Sequence, residues 1–391
     1  MNVNNKKPYL SMLGAWALAF GCAVGWGSFV MPGNTFLPIA GPVGASLGLG
    51  LGALIMLLIA KNYHYLINVY PNDGGGAYTY TKKAFGYDHG FLASWFLILT
   101  YVAIIWANAT ALPLIARALL GSTFQFGFHY RIAEFDVYFG ELLIVIAALA
   151  IGALVCLRRR LAARTQIVAA ILLFCGVASV FVAAAIHNGG FASVKPDFSP
   201  EHNGLGGTFT IFALAPWAFV GFESISHSAA ESKFPLKRSF LIMTAALVTA
   251  GIAYVLLTLT AVTALPEGCA NWVEYISNLN KYSGVQSMPT FNAAFTALGD
   301  LGSVILGIAA IGAIFTGIIG NYIALSRLIN SMSEDKIISG WIGKTDKNNV
   351  PKNAILCILG VSVILPFFGR TAISWIVDVT TVGATIAFAF T

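Results

Sequence analysis

The chain has 391 residues, 58% of them hydrophobic and 10% charged, with a mean hydropathy of +0.79 and a formal net charge of +6 at pH 7. A soluble globular protein carries roughly 25% charged residues, so this deficit excludes a soluble enzyme, a nucleic-acid-binding domain and a disordered chain. The basic residues lie in short clusters between apolar runs, the pattern of a polytopic helical protein seated in a lipid bilayer and not of a nucleic-acid binder.

A membrane-spanning helix needs about 20 mostly apolar residues. In chain order, ten runs meet that need: about 11–31, 39–60, 90–119, 138–157, 165–186, 207–230, 240–264, 298–327, 354–368 and 372–391. The first follows Lys6 and Lys7, as in a signal peptide. It continues past Cys22, however, and Phe20 is bulky where a cleavage site wants a small residue, so it reads as an uncleaved span. With the N-terminus inside, the 22 Lys and Arg residues divide 17 inside to 5 outside (Arg117, Arg131, Lys195, Lys281 and Arg370). Cytoplasmic loops carry the excess of Lys and Arg, so the count supports ten spans and a cytoplasmic N-terminus in a multi-pass protein of the cell membrane. The last run closes on Ala387-Phe388-Ala389-Phe390-Thr391 without a polar tail, from which further residues are expected beyond it. The five cysteines have no metal-ligand spacing, and their odd number argues against a disulfide framework.

Ten spans divide into five and five, and an odd number per half inverts the second half relative to the first. The expectation is one transmembrane domain over 1–391, with repeat one at about 11–186 and repeat two at about 207–391. Both halves interrupt their first helix near its middle: Gly21, Gly25 and Gly27 in span one, Pro216 and Gly221 in span six. Each interior Gly weakens a helix by roughly 1 kcal/mol and Pro by more. Matching breaks in two halves point to the central site of a secondary transporter. Gly44, Gly48 and Gly52, spaced by four, are read as packing contacts. No strand precedes the Gly48-Leu49-Gly50-Leu51-Gly52 run, so it is not a nucleotide loop.

Four motifs carry a resemblance to the amino acid–polyamine–organocation permeases. Gly25-Trp26-Gly27-Ser28-Phe29-Val30-Met31-Pro32 resembles their first span. Phe219-Val220-Gly221-Phe222-Glu223, followed by Ala230-Glu231-Ser232-Lys233-Phe234-Pro235, resembles their sixth. Pro71-Asn72-Asp73-Gly74-Gly75-Gly76-Ala77-Tyr78-Thr79-Tyr80 with Ala84-Phe85-Gly86 is similar to the loop between spans two and three. Ala324-Leu325-Ser326-Arg327 running to Val350-Pro351-Lys352-Asn353-Ala354 is similar to the loop after span eight. The resemblance covers about 10–385 and implies an all-α five-plus-five inverted-repeat (LeuT-like) fold with discontinuous first and sixth helices.

The implied site lies at the breaks. Unwound backbone is tolerated at membrane depth only where it lines a cavity or meets a ligand. The half-helix opening near Gly27 and Ser28, preceded by Gly25 and Trp26 and followed by Phe29, suits an anion such as a substrate carboxylate. The carbonyls of Ala23, Trp217 and Val220, next to Gly221, suit a substrate ammonium. Trp26 either packs or reshapes the cavity, and Trp217 matches the aromatic that gates the outer side in relatives. Tyr101, Asn108 and Asn321 either line the pocket or bridge helices. Glu223, a carboxylate inside an apolar span, is either a proton carrier or a structural acceptor. Thr316 falls near the hydroxyl that helps bind sodium in sodium-coupled members of the wider fold. Where several relatives carry a lysine in span five, this chain reads Thr165-Gln166-Ile167 with none, which leaves proton or sodium coupling open. Asp378 lies near the outer end of span ten. His64, His187, His202 and His227 are scattered, His89 and His129 flank spans, and no metal or cofactor site is expected.

The expected function is secondary transport of amino acids or related amines by alternating access, as a permease or an antiporter, with proton coupling through Glu223 and uncoupled exchange both open. An amino-acid sensor built on the same fold is the rival reading. A membrane enzyme lacks a catalytic constellation.

Overall fold

A computed structural model describes residues 8–132, 135–187, 194–202, 204–369 and 382–391. Span one is two helices. Helix α1 (Met12–Ala23) starts where the Ser11 hydroxyl accepts the Gly14 N–H at 3.1 Å, and α2 (Gly27–Met31) follows after a gap of three residues. A wide helical turn (Pro32–Phe36) carries α2 into α3 (Leu37–Val69), so the chain stays helical across the stretch expected to be a loop. The corner between spans one and two is Gly41, at φ 70°. A Cβ there would sit 2.7 Å from the backbone of Phe198 and Ser199, which cross it.

Helix α4 (Ala77–Phe85) forms inside the expected loop after span two. The third span is split into α5 (Tyr87–Ala109) and α6 (Leu112–Leu120), with Pro113 in the first turn of α6. An antiparallel hairpin, β1 (His129–Ile132) on β2 (Phe135–Tyr138), was not anticipated in an all-α chain. Spans four and five are α7 (Phe139–Cys156) and α8 (Arg159–His187). Span six is α9 (Gly204–Ala213), then, bent from it by 46° at Leu214, α10 (Ala215–Phe219) and a 3₁₀ segment (Phe222–Glu231). Span seven is α11 (Ser239–Thr260), followed by α12 (Trp272–Ser277) and α13 (Pro289–Leu298). Span eight is α14 (Asp300–Glu334) and span nine is α15 (Lys352–Ile364). Of the expected tenth span, residues 382–389 are helical; Asp378 and Arg370 lie outside the described residues, as do Lys6 and Lys7.

Among the described residues, six helices are long and apolar enough to cross a membrane, or seven if the bent pair in span six is counted as one span. The ten expected spans include α1, α15 and the last segment, which are shorter apolar helices. Helix α14 is the most enclosed, with 72% of its apolar window buried. Its small residues let neighbours approach: a Cβ on Gly312 would meet the Ala169 carbonyl at 2.9 Å, and one on Gly320 would strike the Cys22 sulfur. The spaced glycines of α3 do the same for span six. A Cβ at Gly48 would lie 2.6 Å from the Thr208 carbonyl, and one at Gly52 would overlap Ala215. Lipid supplies little apolar driving force between helices, so such close fits carry the association.

Candidate functional site

The two breaks meet. Gly221 has φ +114°, and a Cβ on it would lie 2.6 Å from Cys22 Cβ at the end of α1. Helix α14 closes the other side, since Thr316 occupies the space a Cβ on Gly21 would need. The unwound residues of both spans therefore share one buried centre.

A single face of α5 holds both breaks. Asn108 and Tyr101, two turns apart, project towards them. The Trp26 N–H donates to Asn108 Oδ1 at 2.9 Å, while Asn108 Nδ2 donates to the Ile104 carbonyl at 2.8 Å. Gly25 is needed here because a Cβ would come 2.7 Å from Asn108 Oδ1, and Gly317 of α14 abuts the same amide. Tyr101 donates to Glu223 Oε1 at 2.8 Å, and Glu223 Oε2 accepts the Gly221 N–H at 2.8 Å. Glu223 thus satisfies the backbone of its own break.

The groups of the expected clamp bond largely to one another and to neighbouring helices. Ser28 N–H and hydroxyl both reach the Gly25 carbonyl, at 3.1 and 2.8 Å, and Phe29 N–H reaches the Trp26 carbonyl at 3.0 Å. The Phe29 carbonyl takes the Thr290 hydroxyl at 3.0 Å. Ala23, expected to offer a free carbonyl, already accepts the Tyr254 hydroxyl at 3.3 Å. Val220 N–H reaches the Trp217 carbonyl at 3.4 Å, a long and weak bond. The Trp217 ring lies over Gly27, 3.2 Å from where a Cβ would stand. Trp26 is buried, stacks on Phe29, and leaves its indole N–H without a partner among the described residues. It floors a crevice of about 280 Å³ lined also by Val30, Asn34, Arg117 and Met288.

Asn321 bonds its own helix, donating to the Gly317 carbonyl at 2.7 Å, and its Oδ1 is buried without a partner among the described residues. It shares the helix face that meets Asn108. The Thr316 hydroxyl turns back to the Gly312 and Ala313 carbonyls, at 2.9 and 3.0 Å. The Thr316 carbonyl accepts Gln166 Nε2 from α8 at 3.2 Å.

Other functional groups escaped the sequence reading. Glu231, at the end of the 3₁₀ segment, is fully buried and pairs with Arg159 of α8 at 3.0 Å and with Arg327 of α14. Its carbonyl also accepts the N–H groups of Tyr9 and Leu10, so one residue ties spans one, five, six and eight together. Glu231 and Arg327 both sit inside quoted motifs, but their partnership depends on the fold. His227, one turn after Glu223, lies 3.2 Å from the Tyr101 hydroxyl and 3.1 Å from the Gly74 carbonyl. The face bearing these groups has a second crevice of about 110 Å³, lined by Asp73, Gly74, Arg327 and Asp335. Asp335 accepts from Lys82 and Tyr78 of α4. Partial burial pushes its carboxyl up, and these two bonds outweigh that and hold it below its ordinary value.

Discontinuous helices meeting near mid-span over a small-residue core belong to a multi-pass membrane protein of the five-plus-five inverted-repeat fold. A solved Na+-coupled sialic acid symporter, captured substrate-bound and outward-open, has this fold with a TM-score of 0.68 at 13% identity, covering 97% of this chain and 77% of that one. The amino acid permease family model matches residues 10–391, and the chain belongs to that family. It is 25% identical to the branched-chain amino acid permease BcaP of Lactococcus lactis, over 96% of this chain and 78% of that protein. It is also 25% identical to the methylthioribose transporter of Bacillus subtilis, over 86% and 69%. Cationic amino acid transporter 1 of Arabidopsis thaliana is 23% identical over 95% of this chain and 59% of its own length.

Proposed function

We propose that this permease carries neutral α-amino acids across the cell membrane by alternating access, with its N-terminus and basic face on the cytoplasmic side. The observation that carries this reading is the contact of the two breaks at Gly221 and Cys22, which gathers helix-end amides and carbonyls at one buried point. An amino-acid head group brings a carboxylate and an ammonium, the two charges such ends favour. The Ser28 and Phe29 N–H groups bond carbonyls of their own break, while Ala23 and Trp26 are held by Tyr254 and Asn108, so substrate exchanges bonds of the closed site for its own. Trp217 acts as the lid over Gly27, Trp26 limits side-chain size, and Asn321 offers a polar contact through its Oδ1. Glu223 is the acid at the breaks among the described residues, and both its oxygens are engaged, which disfavours a second positive charge on the substrate. Repeat one spans about 11–186 and repeat two about 207–391.

Coupling is assigned to protons through Glu223. The Thr316 hydroxyl, the group expected beside a sodium ion, is engaged by the Gly312 and Ala313 carbonyls of its own helix, and the Thr316 carbonyl by the Gln166 amide. Replacing sodium by choline should therefore leave uptake unchanged.

A thermal-shift screen of the purified protein against the standard amino acids and polyamines, at two pH values, tests the reading. Bound ligand raises apparent stability by mass action. A shift with neutral amino acids, lost when the α-carboxyl or α-amine is blocked, is expected. Saturable flux of the same compound into proteoliposomes should follow. Binding without flux would replace transport by sensing, and no shift from any amino acid would overturn the clamp.

A further inference from the structure

The geometry points to one exchangeable proton shared by Glu223, Tyr101 and His227, with His227 as its station nearest the basic face. This rests on the proton-coupling role given to Glu223 above. Donor and acceptor counting carries it. The Gly74 carbonyl can only accept, so the His227 Nδ1 facing it at 3.1 Å carries a hydrogen. A neutral imidazole then presents a bare Nε2 to the Tyr101 hydroxyl at 3.2 Å. Tyr101 has one hydroxyl hydrogen and a second neighbour, Glu223 Oε1, at 2.8 Å. It can donate to only one of them.

One further proton completes the chain in either of two ways. Placed on Glu223 Oε1, it is donated to the phenol oxygen, and Tyr101 donates onward to His227. Placed on His227 Nε2, it makes an imidazolium that donates to Tyr101, and Tyr101 donates to the Glu223 carboxylate. Transfer between the two states moves the acid proton to Tyr101 while the phenol proton passes to Nε2. The group stays neutral overall in both. Without the proton, lone pairs oppose each other in a site where Glu223 and Tyr101 are 0% exposed, a costly arrangement away from water.

Among the described residues, the titratable groups around the chain are Tyr63 of α3 and Cys22 of α1, both ordinarily protonated, Asp73 beside Gly74, which is paired with Lys83, and Arg327 of α14, 3.5 Å from the His227 carbonyl and paired with Glu231 and its partner Arg159. The Gly74-Gly75-Gly76 run seals the far end. A Cβ on Gly76 would lie 2.7 Å from His227 Cε1, and Gly75 presses on Ser331 of α14. Asp73 and Gly74 line the basic-face crevice. Lifting this run would free Nδ1–H to release its proton to crevice water, which links proton exit to opening on that face. An ammonium held at the Trp217 and Val220 carbonyls would favour the Glu223 carboxylate and drive the proton towards His227.

Difference infrared spectroscopy of the purified protein, titrated by pH with no substrate, reads this directly. In the wild type, the acid C=O band of Glu223 (assigned by its loss in Glu223→Gln) and the imidazolium band of His227 should titrate with common midpoints. Tyr101→Phe should separate them by at least about one pH unit, and His227→Gln should shift the Glu223 midpoint by a similar amount. Independent wild-type titrations, or a Glu223 midpoint indifferent to both substitutions, would overturn the shared proton. Should Glu223→Gln fail to fold, Tyr101→Phe still decides. The transport reading fails separately, by absence of flux driven by a pH gradient in wild-type proteoliposomes.

Discussion

The two helix breaks solve one problem by different means. In span one the gap of 24–26 is spanned by glycine and held from outside by a neutral amide, Asn108. In span six the gap is Val220 and the left-handed Gly221, followed by a 3₁₀ segment, held by an ionisable residue of its own, Glu223, and pinned at its far end by the buried Glu231 cluster. Span one offers a replaceable neutral contact; span six places charge at both ends of a tightly fitted turn. The first is suited to exchange its bonds for a substrate's. The second is suited to respond to protonation and to the opening of the basic face.

Four outcomes would break or sharpen that contrast. The largest effect should come from Glu231→Ala, which leaves Arg159 and Arg327 without their buried partner. A loss of about 3–5 kcal/mol is expected, read as failure to recover monodisperse protein or a collapse of apparent Tm in detergent. Next is Gly221→Ala. The left-handed backbone costs about 1–2 kcal/mol for any other residue, and the new methyl group collides with the backbone of Cys22. Flux should vanish with no rescue from a second substitution. Gly25→Ala should behave differently, because its obstacle is the Asn108 side chain, so Asn108→Ala should partly restore folding to it. If both glycines were equally beyond rescue, the contrast between a deformable and a rigid break would fail.

Asn108→Ala alone should cost about 1–3 kcal/mol by orphaning the buried Trp26 N–H. Asn108→Asp, which keeps the acceptor oxygen, should retain more stability than Asn108→Ala at low pH, where it is protonated. Equal loss in both would assign the residue to volume, not hydrogen bonding. The smallest effect concerns Asp335, which fastens α4, and with it the glycine run under His227, to the end of α14. Its folded value is held down, so its contribution is present at neutral pH and disappears as pH falls through that depressed value. Asp335→Asn should lower apparent Tm by an amount equivalent to less than about 1 kcal/mol at pH 7, and the difference should close in acid, below about pH 4.

The sequence by itself determined the class and the place of the breaks, and its apolar runs anticipated the long helices. Composition left no water-soluble surface, apolar length marked the crossings, and the glycines and Pro216 had to interrupt helices that were otherwise continuous. Family motifs added the fold and pointed to Trp26, Trp217 and Glu223. Helix ends were less legible: Gly41, and not the stretch after Met31, turns the corner, because the backbone of Phe198 and Ser199 leaves no room for a side chain there. The β1–β2 hairpin was illegible beside stronger apolar signals. Only the tertiary structure decided which groups meet. Tyr101 and Asn108 lie two turns apart on α5, yet each serves a different break. His227, read as one of several scattered histidines, joins Glu223 through a tyrosine 126 residues away in sequence. Glu231, Arg159 and Arg327 form one cluster from three spans. Such partnerships arise from helix crossings fixed by small-residue packing, and no local pattern in the chain encodes a crossing.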